Sequence, residues 1–215
     1  MPNTSKPLIY LASASPRRSA LLQQIGVAHQ VRAVDIDEQA LPAESPRSYV
    51  TRLARIKAQT LWDRLAVPER LPVLGSDTTV ALGAGILGKP RDRADGLRML
   101  ESLSGQTHQV FTAVALCHDG GCDLRLSVSD VTFRTLSGAE IAVYWDSGEP
   151  VDKAGGYAIQ GLAAVFIERI TGSYSGIMGL PLYETADLLQ LVGWRMTSPQ
   201  PAADTSVART GGAHG

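Results

Sequence analysis

The 215-residue chain lacks an excess of charge of either sign: 20 Lys and Arg stand against 21 Asp and Glu, a formal net charge of -1. That balance argues against a general nucleic-acid binder, which needs a basic surface. No apolar run is long enough to span a bilayer, and residues 1–7 hold no apolar core of signal-peptide length. Cysteine is scarce. Cys117 and Cys122 flank His118-Asp119-Gly120-Gly121, a hairpin-turn sequence, and two cysteines without a framework imply free thiols in a reducing cytoplasm. They do not make a zinc site, because two more ligands are needed and the four histidines are scattered. There is no G-x-x-x-x-G-K-[ST], so any phosphate chemistry is not that of a P-loop, and no histidine lies in a nucleophile context. Gly83, Gly85 and Gly88 satisfy G-x-G-x-x-G, but Lys89-Pro90 follows where a dinucleotide fold must start a helix. A hairpin accounts for those glycines.

What remains is an ordinary soluble composition, 44% hydrophobic and 19% charged, of a length for one sizeable domain. Residues 8–12 read as a short strand, followed by a helix from Pro16 that Gly26 closes. Residues 31–36 read as a second strand, and Ser45-Pro46 opens a longer helix with Lys57 near its middle. A buried strand, 71–74, runs into the polar stretch Gly75-Ser76-Asp77-Thr78-Thr79, and 80–82 pairs with 86–87 as a hairpin. A helix is expected near 94–103, long antiparallel strands over 110–117 and 124–133, and a capping box from Ser137 and Glu140. Glycine-rich loops follow at 152–161 and 171–179, around a strand at 164–167, and a helix comes after Pro181. From Thr197 onward, Pro, Ala, Thr, Ser and Gly predominate, the composition of a disordered tail. The expected organisation is an N-terminal extension over 1–7, one α/β domain over 8–196 and a tail over 197–215, with the domain two-lobed around a mixed twisted sheet.

The most pointed stretch is Leu-Ala-Ser-Ala-Ser-Pro-Arg-Arg, 11–18. Ser15 fits a helix N-cap and Pro16 the first helical position, where its missing N–H costs nothing. Arg17 and Arg18 then sit in the first turn, where the helix dipole disfavours cations unless an anion joins them. Free N–H groups, the Ser13 hydroxyl and two guanidinium groups make an anion site; a solvated basic helix start is the plain alternative. Asp77 follows a strand end, where α/β folds place ligands, though aspartate also caps turns. Glu38 is the next carboxylate in a comparable place, in an acidic loop. Lys57 shares its helix with Arg52 and Arg55, so a solvated face is its default, and Lys89 ends a short strand before a proline. Together, two arginines, two lysines, two carboxylates and the hydroxyls of Ser13 and Thr78 are the inventory for a nucleoside triphosphate held with Mg²⁺ or Mn²⁺.

In those residues the chain resembles the Maf family of nucleotide pyrophosphatases. The matching segments include 11–18, Asp-Ile-Asp-Glu (35–38), Leu-Ala-Arg-Ile-Lys-Ala (53–58), Gly-Ser-Asp-Thr-Thr-Val (75–80) and Leu-Gly-Lys-Pro (87–90). Ser-Gly-Gln-Thr-His-Gln-Val (104–110), Asp-Lys-Ala-Gly-Gly-Tyr-Ala-Ile-Gln-Gly (152–161) and Gly-Leu-Pro-Leu-Tyr-Glu-Thr (179–185) complete the set. The resemblance implies a fold like that of the inosine-triphosphate pyrophosphatases, in a cytoplasmic and often homodimeric protein. It also implies metal-dependent cleavage of a nucleoside triphosphate to monophosphate and pyrophosphate. It gives Asp77 as proton acceptor and implicates Ser13, Arg18, Glu38, Lys57 and Lys89 in activity; our own expectation is that Asp77 shares the metal with Glu38. Arg17, Thr78 and Gln160 match the positions tied to base choice and look like the dTTP/UTP group, with no nucleic-acid or membrane partner implied. Gly176 stands where the family usually has asparagine, and Gly156 where it has alanine. The alternatives are a nucleotide-binding regulator of cell division that does not turn over, or a pyrophosphatase for purine or modified nucleotides.

Overall fold

A computed structural model describes residues 8–196; the expected extension over 1–7 and the tail over 197–215 lie outside the described residues. The chain runs β1 (Ile9–Leu11), α1 (Pro16–Gln24), β2 (His29–Val31), α2 (Pro46–Arg64), β3 (Val73–Leu82), β4 (Gly85–Leu87) and α3 (Arg93–Leu103). It continues with β5 (Thr107–His118), β6 (Gly121–Phe133), α4 (Gly138–Asp146), β7 (Ile167–Thr171), α5 (Tyr174–Met178) and α6 (Leu182–Gln190). The described strands form one seven-stranded mixed sheet in the order β2-β1-β3-β5-β6-β7, with β4 on β3. β1 is parallel to β2 and β3, and every other pairing is antiparallel.

Alternation along the strands sorts side chains into separate cores. Tyr10, Ala12, Ala113 and Ala115 pack under Val50, Ala54 and Ala58 of α2. Their neighbours Ile9, Leu11, Val114 and Leu116 face Leu21 and Leu22 of α1 and Leu188 and Leu189 of α6. A third core, at the other end of the same strands, gathers Val80, Val110 and Phe133 with Leu100 of α3 and Ile141 and Tyr144 of α4. The result is the mixed α/β domain expected from the sequence, built on one seven-stranded sheet. Helix α1 ends as its residues require: Gly26, at φ +72°, lets its own N–H reach the Gln23 carbonyl and that of Val27 reach Leu22. The capping box at Ser137 and Glu140 is present on α4. Gly83 and Gly85 belong to the β3–β4 hairpin, as expected. Among the described residues no helix is long and apolar enough to cross a membrane.

Four expectations need correction. β2 stops at Val31 instead of running to 36, and the chain to Glu38 is irregular. Residues 162–166 form a 3-10 turn, so the last strand starts at Ile167 rather than 164. The stretch 75–79 is no loop: it lies inside β3, because β5 pairs with it from Val73 to Ala81. Finally, Cys117 and Cys122 are joined in a disulfide rather than free. They lie directly opposite each other in the β5–β6 register, where cross-strand side chains are nearest neighbours.

Candidate active site

The site begins with a gap in the sheet. β5 covers one edge of β3 without interruption. On the other edge β1 pairs only at Val73 and Leu74, and β4 only from Val80 onward. Residues 75–79 therefore line an opening with no strand on that side. Because side chains alternate, Asp77 points toward α2, while Ser76 and Thr78 point toward α1 and α5. One strand thus supplies both faces of the cleft.

Gly75 brings α2 onto the strand. A Cβ there would lie 2.5 Å from the Ala54 carbonyl oxygen and 2.7 Å from the Ala58 nitrogen, so only glycine permits this approach. One turn of helix then places Lys57 over Asp77. The Lys57 ammonium lies 2.7 Å from Asp77 Oδ1 and 2.6 Å from Glu38 Oε1. Lys57 is only 8% exposed and Asp77 6%, which excludes the solvated face considered for Lys57. Burial pushes the Asp77 carboxyl up from its ordinary value, against the opposing charges of Lys57 and Arg18. Burial acts on Glu38 in the same direction. There the Lys57 hydrogen bond, with the charges of Lys57, Lys89 and Arg18, outweighs it and holds the carboxyl below its ordinary value. The two carboxylates are pushed apart: Glu38 remains an anion, and Asp77 is the better proton acceptor.

Arg18 organises the other face. Its Nε donates to the Gly179 carbonyl at 2.8 Å, Nη1 to Ser13 Oγ at 3.0 Å and Nη2 to Thr78 Oγ1 at 3.3 Å. All three partners are neutral, so the guanidinium keeps its charge for the cleft. Thr112 donates to the Gly176 carbonyl at 2.8 Å, and a hydroxyl has one proton. The same hydroxyl lies 3.0 Å from Thr78 Oγ1, which also accepts from Arg18. Ser13 Oγ also accepts from the Ser15 N–H at 3.2 Å, so its own proton is available to a ligand. Ser15 holds the N-cap position of α1 without making a side-chain cap bond, leaving the N–H groups of the first turn for an anion.

The cleft has a volume of about 460 Å³, within the range of small-molecule sites. Ser13, Arg17, Arg18, Glu38, Lys57, Asp77, Thr78, Lys89 and Gln160, every site residue read from the sequence, are in its lining. Sequence reasoning missed three others there: Tyr49, Asp152 and Lys153. Counting Lys153, five cationic side chains line the cleft against three carboxylates, so a chain of net charge -1 concentrates positive charge at one place. Tyr49 donates its hydroxyl to the Glu38 carbonyl at 2.9 Å, and burial, then nearby Asp77 and Glu38, push that hydroxyl up to about 12. Arg52 pairs with Glu44 through two bonds of 2.7 Å and reaches the Gln39 carbonyl at 3.0 Å. Together they fasten the irregular segment that carries Glu38. A signal for Tyr49 was available: it lies eight residues before Lys57, on the same face of the helix.

Residues 8–192 match the family described as Maf-like protein. The chain belongs to the Maf family. Among its relatives, the dTTP/UTP pyrophosphatase of Saccharophagus degradans is 53% identical over 195 residues, covering 89% of this chain and 93% of that protein. The dTTP/UTP pyrophosphatase of Alkalilimnicola ehrlichii is 57% identical over 187 residues, covering 86% and 92%. A solved nucleoside-triphosphatase / dITP/XTP pyrophosphatase from Mycobacterium abscessus covers 58% of the Maf chain and 73% of its own at 17% identity. Its TM-score is 0.40, too slight a likeness to bear on function.

Proposed function

We propose that this Maf protein hydrolyses dTTP and UTP to the monophosphate and pyrophosphate. The observation that carries the reading is the Glu38–Lys57–Asp77 cluster, in which Lys57 and Asp77 are buried and Glu38 is exposed, set in a cleft rimmed by Arg17, Arg18 and Lys89. A triphosphate carries about four negative charges and needs such a surround. The names of relatives more than half identical point to the same substrates.

In this reading the phosphates lie against the N-terminus of α1, held by the Ser13 hydroxyl and by Arg17, Arg18 and Lys89. Asp77 orients water and takes its proton as the oxygen bonds to the α-phosphorus. The bond from that phosphorus to the bridging oxygen breaks, and pyrophosphate leaves with its charge balanced by the arginines and Lys89. Lys57 keeps Asp77 and Glu38 directed at one point. That convergence fits a divalent cation, since Mg²⁺ and Mn²⁺ take one or two carboxylates and complete their shell with phosphate oxygens. No group of three or more His, Cys, Asp or Glu occurs among the described residues, so the cation would be held by Glu38, Asp77 and the substrate together. When bound, it supplies charge neutralisation and makes a coordinated water more acidic. Gln160, the one carboxamide in the cleft lining, offers a donor and an acceptor to the uracil or thymine edge, with Arg17 and Thr78 nearby in the lining.

The proposed setting is the cytoplasm, and the reaction uses neither cysteine. The test is hydrolysis of dTTP and UTP with Mg²⁺ by the purified protein and by Asp77→Asn. The variant should lose at least a hundredfold in kcat. Near-native activity would refute the role of Asp77, and a native protein that spares both nucleotides would refute the function.

A further inference from the structure

Gln160 is exposed and sits in a short turn, with the Gly161 N–H donating to the Ala158 carbonyl at 3.0 Å. Both ends of this turn hang from one pair of side chains. On the entering side, the Ala158 N–H donates to Tyr144 Oη at 3.3 Å. On the leaving side, the Leu162 N–H donates to Glu149 Oε2 at 2.8 Å and the Ala163 N–H to Oε1 at 3.3 Å. The Tyr144 hydroxyl closes the ring by donating to Glu149 Oε1 at 2.7 Å. Gly161 makes room for this: a Cβ at that position would fall on the Glu149 carboxylate. Tyr144 is anchored in the core shared by β3, β5, α3 and α4, buried and packed edge-on against Phe166 at 5.1 Å between ring centres. Its burial, then the neighbouring Glu149, keep its hydroxyl protonated well beyond the ordinary range. Neither Tyr144 nor Glu149 lines the cleft, so both act at one remove.

We propose that the Tyr144–Glu149 pair is the positioning element of pyrimidine selection, fixing the 158–161 turn and with it the direction from which Gln160 meets the base. The inference rests on the base-reading role of Gln160 given above. A carboxamide free to pivot answers cytosine as well as uracil, because turning it over exchanges its donor and acceptor ends. A fixed backbone does not stop that rotation, but it sets where the carboxamide stands against the base edge, so only one of its two orientations can reach a complementary pair of groups.

The experiment compares kcat and KM for UTP and CTP in the native protein and in Gln160→Ala, Tyr144→Phe, Glu149→Gln and Ser137→Ala. Tyr144→Phe keeps the ring and its packing but releases the turn. It removes two hydrogen bonds, of which only that from the Ala158 N–H holds the turn directly, and should lower the UTP-to-CTP ratio of kcat/KM about three- to tenfold, the worth of that one bond. The loss should fall on KM for UTP, with kcat held within about twofold. Glu149→Gln, which keeps an acceptor for Tyr144, should lie between that variant and the native protein. Ser137→Ala weakens the same helix at its other end and should lower Tm without moving the ratio. An unchanged ratio in Tyr144→Phe, or an equal change in Ser137→Ala, overturns the inference alone. An unchanged ratio in Gln160→Ala, or no native preference for UTP, overturns the base-reading role and the inference with it.

Discussion

Acidification should cost this protein stability through a histidine the reaction does not use. His108, on β5, is 1% exposed, and burial lowers its pKa from 6.5 to about 4. One ring nitrogen, Nε2, lies 2.8 Å from the Tyr157 hydroxyl. The other, Nδ1, has no hydrogen-bond partner among the described residues. The ring stands edge-on to Phe133 and Tyr157, with centroids at 5.1 and 5.4 Å. A proton added to this imidazole creates a cation with no acceptor for at least one N–H. The unfolded chain accepts that proton near pH 6.5, whereas the folded chain resists it until about pH 4. Between those values the unfolded state binds more protons, so stability rises with pH and is lost as pH falls. The full interval is worth about 3 kcal/mol, at roughly 1.4 kcal/mol per pH unit, and most of it is gone by pH 4.5. His108→Gln can still bond Tyr157 and does not titrate. In urea unfolding followed by tryptophan fluorescence, the native protein should lose about 2 kcal/mol more than His108→Gln between pH 7 and 4.5. Carboxylates titrate in both proteins and cancel. Equal losses would refute the argument.

Lys57→Met removes a charge that lowers the Asp77 pKa, so the acid limb of the pH profile of kcat/KM should move to higher pH and the maximal rate should fall; an unmoved limb would detach Lys57 from Asp77. Gly75→Ala drives a methyl group into the backbone of α2 and should cost about 2 kcal/mol together with most activity, whereas Gly138→Ala, which meets nothing within 4 Å, should cost neither. Reduction of Cys117–Cys122 opens a short hairpin loop and should lower stability by about 2 kcal/mol with hydrolysis unchanged. A thiol-dependent rate would contradict the placement of the site four register positions away, where Asp77 opposes Ala113.

The sequence made the anion-binding end of the site legible because its signals are local. Ser15, Pro16 and Gly26 mark the limits of α1 by their own backbone preferences, whatever packs against them. The second half of the site depends on pairing at a distance. Gly75-Ser76-Asp77-Thr78-Thr79 has the composition of a loop, but five consecutive partners on β5, within a run of nine from Val73 to Ala81, hold it as a strand. Lys57 looked like one charge among several on α2 until Gly75 allowed the helix close enough to bury it. Residues 164–167 read as a strand because their apolar side chains do not show that Glu149, thirteen positions before Leu162, caps the N–H groups that open the 3-10 turn at 162–166. The disulfide was missed for a related reason: spacing alone cannot show that two cysteines face each other in register.

That Asp77 and Thr78 are adjacent yet work on opposite faces of β3 has a consequence for how the chain can change over time. A substitution alters one wall of the cleft, but an insertion or deletion of a single residue between the start of β3 and Asp77 exchanges the two walls. The carboxylate would then turn toward Arg18 and the hydroxyl toward Lys57, with every residue type retained and each aimed at the wrong partner. The spacing from Val73 to Thr78 is counted, residue by residue, by the chemistry itself.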